Sequence, residues 1–193
     1  PSAVLTLASG GSVVIGSAAM SEADLEMLDG ITAGTPLASK VVTADASNLI
    51  PHNRHVIADA AFASPVSLTA IQSGGMCVFD ETAGAIFTLP AAVAGLYYDF
   101  VIAVASSSNS HRVACTSGDF ILGSIMAHAT DDTGLSSAYA ANGSTHLAIQ
   151  LDSDATGRLA GGKFRLTAIS GSQWVISGDL LATGTVATPF ETS

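Results

Sequence analysis

The sequence predicts a mainly β protein: an antiparallel β-sandwich or barrel body preceded by an N-terminal arm with a short helix. Three observations carry that expectation. From Val66 onward, short runs rich in Val, Ile, Leu, Phe and Tyr alternate with Gly, Ser, Asn and Asp turn signals, the texture of a sandwich or barrel. A single compact helix signal stands far upstream, between Met20 and Gly30. Hydrophobic residues make up 48% of the 193-residue chain and charged residues only 11%, against about 25% charged in an ordinary soluble domain. Such a chain buries a real core but has few charges to cover a monomer surface. Substantial surface is therefore expected to lie against further copies or a partner.

The arm, residues 1–50, opens with Ala3 to Leu7, a Ser-Gly-Gly turn and Ser12 to Ile15, a pattern that reads as a small hairpin and is too short to be stable alone. The helix is predicted over 22–29. Ser21 is its N-cap, Asp24 completes a variant capping box, and Met20 with Leu25 occupy the hydrophobic-staple positions. Glu22 and Asp24 suit the positive end of the helix dipole, and Gly30 suits the left-handed position after the last turn. Eight residues fall short of a self-sustaining helix, so its apolar side chains need something to pack on. Met20, Leu25, Met27, Leu28 and Ile31 are accordingly the candidate partner-binding residues. The stretch from Ile31 to Pro65 is broken by Gly34, Pro36, Pro51 and Pro65, with Val41-Val42-Thr43 and His55-Val56-Ile57 as short strand candidates. Residues 51–65 are expected to be a connector.

The body, residues 66–178, carries candidate strands at Val66–Ile71, Met76–Asp80, Ala85–Leu89, Tyr97–Ala105, Arg112–Thr116, Phe120–His128, Thr145–Leu151, Lys163–Ser170 and Gln173–Ser177. Alternation places Tyr98 and Phe100 on one face, and likewise Phe164, Leu166 and Ala168. The tail, 179–193, has few charges and no evident turn, which suggests an extended arm in need of a neighbour.

Charge and motif arguments exclude several function classes. Six basic residues against sixteen acidic ones give a net charge of −10, the wrong sign for a nucleic-acid footprint. The longest uncharged apolar stretch, Thr82 to Tyr98, contains Pro90 and Gly95 and falls short of the roughly 20 residues a membrane helix needs. No signal-peptide pattern opens the sequence. Cys77 and Cys115 have no CxxC spacing and read as small buried hydrophobes rather than a disulfide framework or zinc ligands. Asp152-Ser153-Asp154-Ala155-Thr156-Gly157 opens like a calcium loop, but Lys163 stands where the bidentate Glu belongs, so an acidic turn is expected. His52, His55, His111, His128 and His146 show no metal-ligand spacing beyond the loose His52–His55 pair, though one His per subunit could still meet on the axis of an oligomer. Cys77 with His111 lacks any activating signature, Asp80 and Glu81 are adjacent rather than convergent, and GxGxxG, Walker and HExxH patterns are missing. No catalytic residue, cofactor or metal is expected.

The stretch Ser21-Glu22-Ala23-Asp24-Leu25-Glu26-Met27-Leu28-Asp29-Gly30-Ile31-Thr32-Ala33-Gly34-Thr35 resembles a recurring element of tailed-phage structural proteins, and Ala38 to Asp45 is similar to the segment that follows it there. Gly84 to Pro90, with its Thr-Leu-Pro ending, and Gly95 to Phe100 resemble the β module of phage capsid decoration (cement) and head-fibre proteins; Trp174 to Gly178 is similar to its closing strand. The resemblance spans most of residues 21–178 and departs after Gly178. It implies a homotrimer with a β-rich body, a non-enzymatic decoration protein that binds the major capsid protein on the outer surface of a virion assembled in bacterial cytoplasm. The Leu-Asp-Gly element also occurs in tail fibres, so the alternative is a tail-fibre or tailspike fragment that binds host-surface glycans. A capsule-degrading enzyme is the weakest of the three expectations.

Overall fold

The computed structural model describes residues 12–15, 18–31, 41, 56–58, 64–131 and 135–192. The chain divides into two compact units, Pro1–Asn53 and Arg54–Ser193.

In the first unit β1 (Ser12–Ile15) pairs antiparallel with β2 (Ala18–Ser21), Ser12 opposite Ser21. The partner of Ser12–Ile15 among the described residues is thus downstream; Ala3–Leu7, expected to pair with it, lies outside them. β2 runs directly into α1 (Glu22–Glu26). The regular helix is shorter than predicted because its end tightens: the Leu28 and Asp29 amides both donate to the Leu25 carbonyl. Gly30, at φ +66°, then takes the left-handed position expected of it.

The second unit is mainly β, built from two mixed sheets. The larger runs in the order β10 (Ser137–Asn142), β9 (Phe120–Ala129), β13 (Gln173–Ala182), β12 (Lys163–Ala168), β7 (Tyr97–Ile102), β5 (Met76–Phe79), β3 (Val56–Ala58). The smaller runs β14 (Phe190–Glu191), β11 (Ala148–Leu151), β8 (His111–Ala114), β6 (Ile86–Thr88), β4 (Val66–Ser67).

The expectation of an antiparallel body is corrected by the strand pairing. β3, β5 and β7 are mutually parallel, as are β4, β6 and β8, and β9 lies parallel to β13. Successive strands from β3 to β8 alternate between the two sheets, so each sheet receives every second strand, running in the same direction. The turn signals at Ser73-Gly74-Gly75 and Ala83-Gly84 are real, but they turn the chain from one sheet to the other rather than into a hairpin. Antiparallel pairing enters with the β9–β10 and β12–β13 hairpins and with β12 against β7.

Two boundaries move as well. Val56–Ala58, expected in the connector, is the edge strand of the larger sheet. The tail is no free arm: Asp179–Ala182 continue β13, and β14 pairs with β11 while Phe190 is buried. Gly178, which looked like the end of the body, is a kink inside β13 at φ +142°. A Cβ there would lie 2.5 Å from the Lys163 carbonyl oxygen and from Phe164 Cα. Only glycine fits that approach.

One core joins the sheets. Phe79 and Phe100 of the larger sheet meet Phe87 of the smaller edge-on, at 5.0 and 5.9 Å between ring centroids, and Phe164 stacks on Phe100 at 5.0 Å. Tyr98 and Trp174 bury fully beside them, the Tyr98 hydroxyl donating to the Thr69 carbonyl. The alternation read for β7 and β12 holds: Tyr98, Phe100, Phe164, Leu166 and Ala168 are all buried. His111 of β8 is fully buried against Phe79, 4.6 Å between rings. Its Nε2–H donates to the Val104 carbonyl, so Nδ1 carries the lone pair of the neutral ring, without a partner.

Two outcomes are expected. Phe100→Ala removes the ring that touches three others and should cost about 3–5 kcal/mol of stability in denaturant melts. For His111, burial above all, with the nearby Arg158 charge also acting against the proton, holds the imidazole below its ordinary range despite the Val104 hydrogen bond. The unfolded chain therefore takes up this proton first on acidification, and stability should fall as pH drops below about 6.5. In His111→Leu the loss between neutral and mildly acid pH should be smaller, read from denaturation midpoints along a pH series.

Candidate functional site

The predicted partner-binding residues run from the end of β2 through α1 into the turn that leaves it. Ser21 has an extended backbone, φ −81° and ψ 169°, and its hydroxyl oxygen accepts from the Asp24 amide at 3.3 Å. Its own hydroxyl and amide donate to the Asp24 carboxylate at 2.6 and 2.8 Å. These two bonds, the hydroxyl foremost, hold the Asp24 carboxyl below its usual range. The capping box read from the sequence is therefore complete, and it fixes a short helix whose apolar side chains are left outside. Leu25, Met27 and Leu28 are 36%, 41% and 42% exposed. Leu25 lies in the helix and Leu28 in the turn that follows it. The Met27 carbonyl accepts from the Val41 amide at 3.0 Å, which pins the returning chain to the turn, and Val41 is itself exposed. Ile31 is half-buried; of Met20 only the backbone, at the end of β2, lies within the described structure. Around these side chains the sequence supplies Glu22, Asp24, Glu26 and Asp29, with no Lys or Arg before Lys40.

The body offers little that performs chemistry. Burial pushes the Cys77 thiol up to about 12, with Asp99 adding to it, so it stays protonated and is a poor nucleophile although His111 belongs to the same core. Cys115 is likewise pushed to about 12 by burial, with Asp119 contributing, and both thiols are free. The calcium-like segment closes on itself: Thr156 Oγ1 donates to the Asp152 carboxylate at 2.9 Å, and Arg158 Nε donates to Asp154 at 2.8 Å. The histidines are dispersed, His128 on Asp179 at 2.9 Å and His146 against Phe190, while His52 and His55 lie outside the described residues. Among the described residues no three His, Cys, Asp or Glu side chains converge to hold a metal, and no helix is long and apolar enough to cross a membrane. A groove of about 600 Å³ runs past Ser64, Ile86, Asn109 and Arg112. A second, of about 330 Å³, lies between Met76, Val101, Lys163 and Gly178. Asp99, Arg165 and Ser177 also line the second, where Asp99 is already engaged by Arg165 at 2.7 Å.

No known family, curated protein or solved structure matches this chain. The arm turn is then the site that its own geometry singles out: a capped, acidic, self-contained turn with its large apolar side chains in solvent.

Because those side chains are exposed and belong to the first unit, Leu25→Asp with Leu28→Asp should leave the stability of the body within about 0.5 kcal/mol of wild type in denaturant melts. Global unfolding of the double variant would mean that the helix is part of the body's core.

Proposed function

We propose that the chain is a non-enzymatic viral capsid decoration (cement) protein, seated as a homotrimer on the outer capsid surface, where it stabilises contacts between capsomers. The observation that carries the proposal is the exposed Leu25, Met27 and Leu28 on a fully capped turn, within the stretch that resembles the phage structural element. A chain that spends a capping box on five helical residues, and then leaves Leu25 and the following Met27 and Leu28 exposed, has built a binding element rather than a core element. The major capsid protein is the partner in this account. The second unit, taken as a β-sandwich, is the rigid mass to which the arm is tethered. Three arms on one trimer bind with an avidity well above that of a single contact.

The glycan-binding alternative calls for aromatic side chains displayed on a rigid face. Trp174 and Tyr98 are fully buried, and Tyr97 is the one aromatic among the exposed large apolar residues described. Its ring is already covered by the Arg165 guanidinium at 4.7 Å. The body therefore lends the alternative no platform.

Sedimentation separates the possibilities. Purified full-length chain should pellet with empty capsids and not with whole host cells, and removal of residues 1–50 should leave a soluble β protein that stays in the supernatant. Pelleting with cells would favour the glycan reading. Undiminished capsid binding by the truncated protein would move the attachment site into the body.

A further inference from the structure

The loops of the second unit collect at two ends that differ sharply in chemistry. At one end the segments 69–75, 90–96, 115–119, 143–147 and 169–172 are tied together by hydrogen bonds. The Gly74 amide donates to the Tyr97 carbonyl and Gly95 to Ala168, Phe120 to Ser172, and the Gln173 side chain to Gly143. Among these segments the only Asp, Glu, Lys or Arg is Asp119. It is buried, its carboxylate turned inward to accept the Ala92 amide at 2.8 Å. Outward from this end stand Ile71, Val93 and Ile169, 93%, 59% and 50% exposed.

At the other end, segments 80–84, 103–110, 130–131, 152–162 and 183–189 are joined in the same way, Ser107 to Thr82, Gly161 to Ile102, Thr183 to Asp154 and Gly184 to the Asp131 carboxylate. That end carries Asp80, Glu81, Asp131, Asp152 and Asp154 against Arg158 alone.

We infer that the uncharged end is the surface through which copies of this chain associate, the contact that builds the homotrimer; the inference rests on the self-association proposed above. Isolated exposed aliphatics are ordinary, but three on loops bonded into one end whose single Asp is buried are the kind of exposure that marks an interface. The occupant follows from the charge distribution. A chain of net charge −10 repels its own copies unless its acids are held apart. The strands that join the two ends run from three residues in β6 to ten in β9 and β13, so the ends stand about 10–33 Å apart along them, more than the roughly 8 Å Debye length at physiological salt. Copies that meet by their uncharged ends therefore join without desolvating a single exposed charge, while their acidic ends point away from one another.

The test uses the full chain carrying Ile71→Asp, Val93→Asp and Ile169→Asp, with sedimentation velocity over a concentration series and circular dichroism to check the fold. Wild type should sediment as a trimer at micromolar concentration, and the triple variant should associate about tenfold more weakly or worse, with an unchanged spectrum. Should the triple variant fold poorly, Ile71→Asp alone, at the most exposed of the three positions, decides the matter by the same readout. A monomeric wild type overturns the trimer itself and this inference with it. A trimeric wild type whose folded variant is equally trimeric overturns the inference and leaves the trimer standing. Loss of capsid pelleting with unchanged self-association assigns the end to the capsid surface, and also overturns it.

Discussion

The contact between Phe79, Phe87, Phe100 and Phe164 is the interaction on which the rest of the second unit depends. The chain is poor in large side chains: seven Phe, three Tyr and one Trp among 193 residues, with Ala, Gly, Ser and Thr making up close to half. Two sheets drawn from such material have little apolar volume to bury, so four of the rings are gathered where the sheets meet. Phe100 touches a ring on each of three other strands, β5, β6 and β12, and so couples the larger sheet to the smaller and, within the larger sheet, β5 to β12 across β7. Gly178 serves the same contact from outside, by letting β13 pass within a Cβ radius of Phe164.

That core imposes the path of the chain. From β3 to β8 each strand crosses to the opposite sheet before the next begins, so every new turn adds one layer to both faces of the same core. The connections accumulate at two ends, and each end is assembled from segments far apart in sequence. Such an arrangement permits a division of labour that no single loop could hold, with acids admitted at one end and kept from the other. The acids that lie along the strands are each matched locally, Asp99 by Arg165 in a two-pronged pair at 2.7 Å, Asp179 by His128, and Glu191 by Arg112.

The sequence exposed whatever depends on neighbours a few residues apart. Ser21, Asp24 and Gly30 spell the beginning and end of the arm turn in local hydrogen-bond chemistry, and Leu25, Met27 and Leu28 follow as its apolar side chains. The period of two in β7 and β12 likewise survives folding, because each strand has one face on the rings. What failed was non-local. Parallel pairing cannot be told from antiparallel by the turn residues, since Gly84 serves a sheet-to-sheet corner as readily as a hairpin. β10, Ser-Ala-Tyr-Ala-Ala-Asn, escaped notice because its low strand propensity is overridden by pairing along the length of β9. The tail was misjudged for a related reason: Phe190 is a single buried anchor in a stretch whose partner, β11, lies some forty residues upstream. Ile71, Val93 and Ile169 gave no signal at all, each being one aliphatic beside a turn until five loops are brought to one end.

A low charge fraction therefore has a physical meaning here beyond sparse solubility. Were the sixteen acids spread evenly, the uncharged residues would be diluted over the whole surface, and no region would be free of ion desolvation on contact. Instead most of them fall in the arm or at one end of the body, and those along the strands are internally paired. This segregation leaves an uncharged surface on a chain that is otherwise strongly anionic. It also explains why the arm turn can be acidic without harm. In the proposed assembly its acids would discourage the arms of neighbouring copies from pairing with each other, and so leave the leucines to a partner of different chemistry. On the proposed reading, contact between copies and attachment to a partner would fall to separate surfaces, one uncharged and one acidic, and neither would compete for the other's side chains.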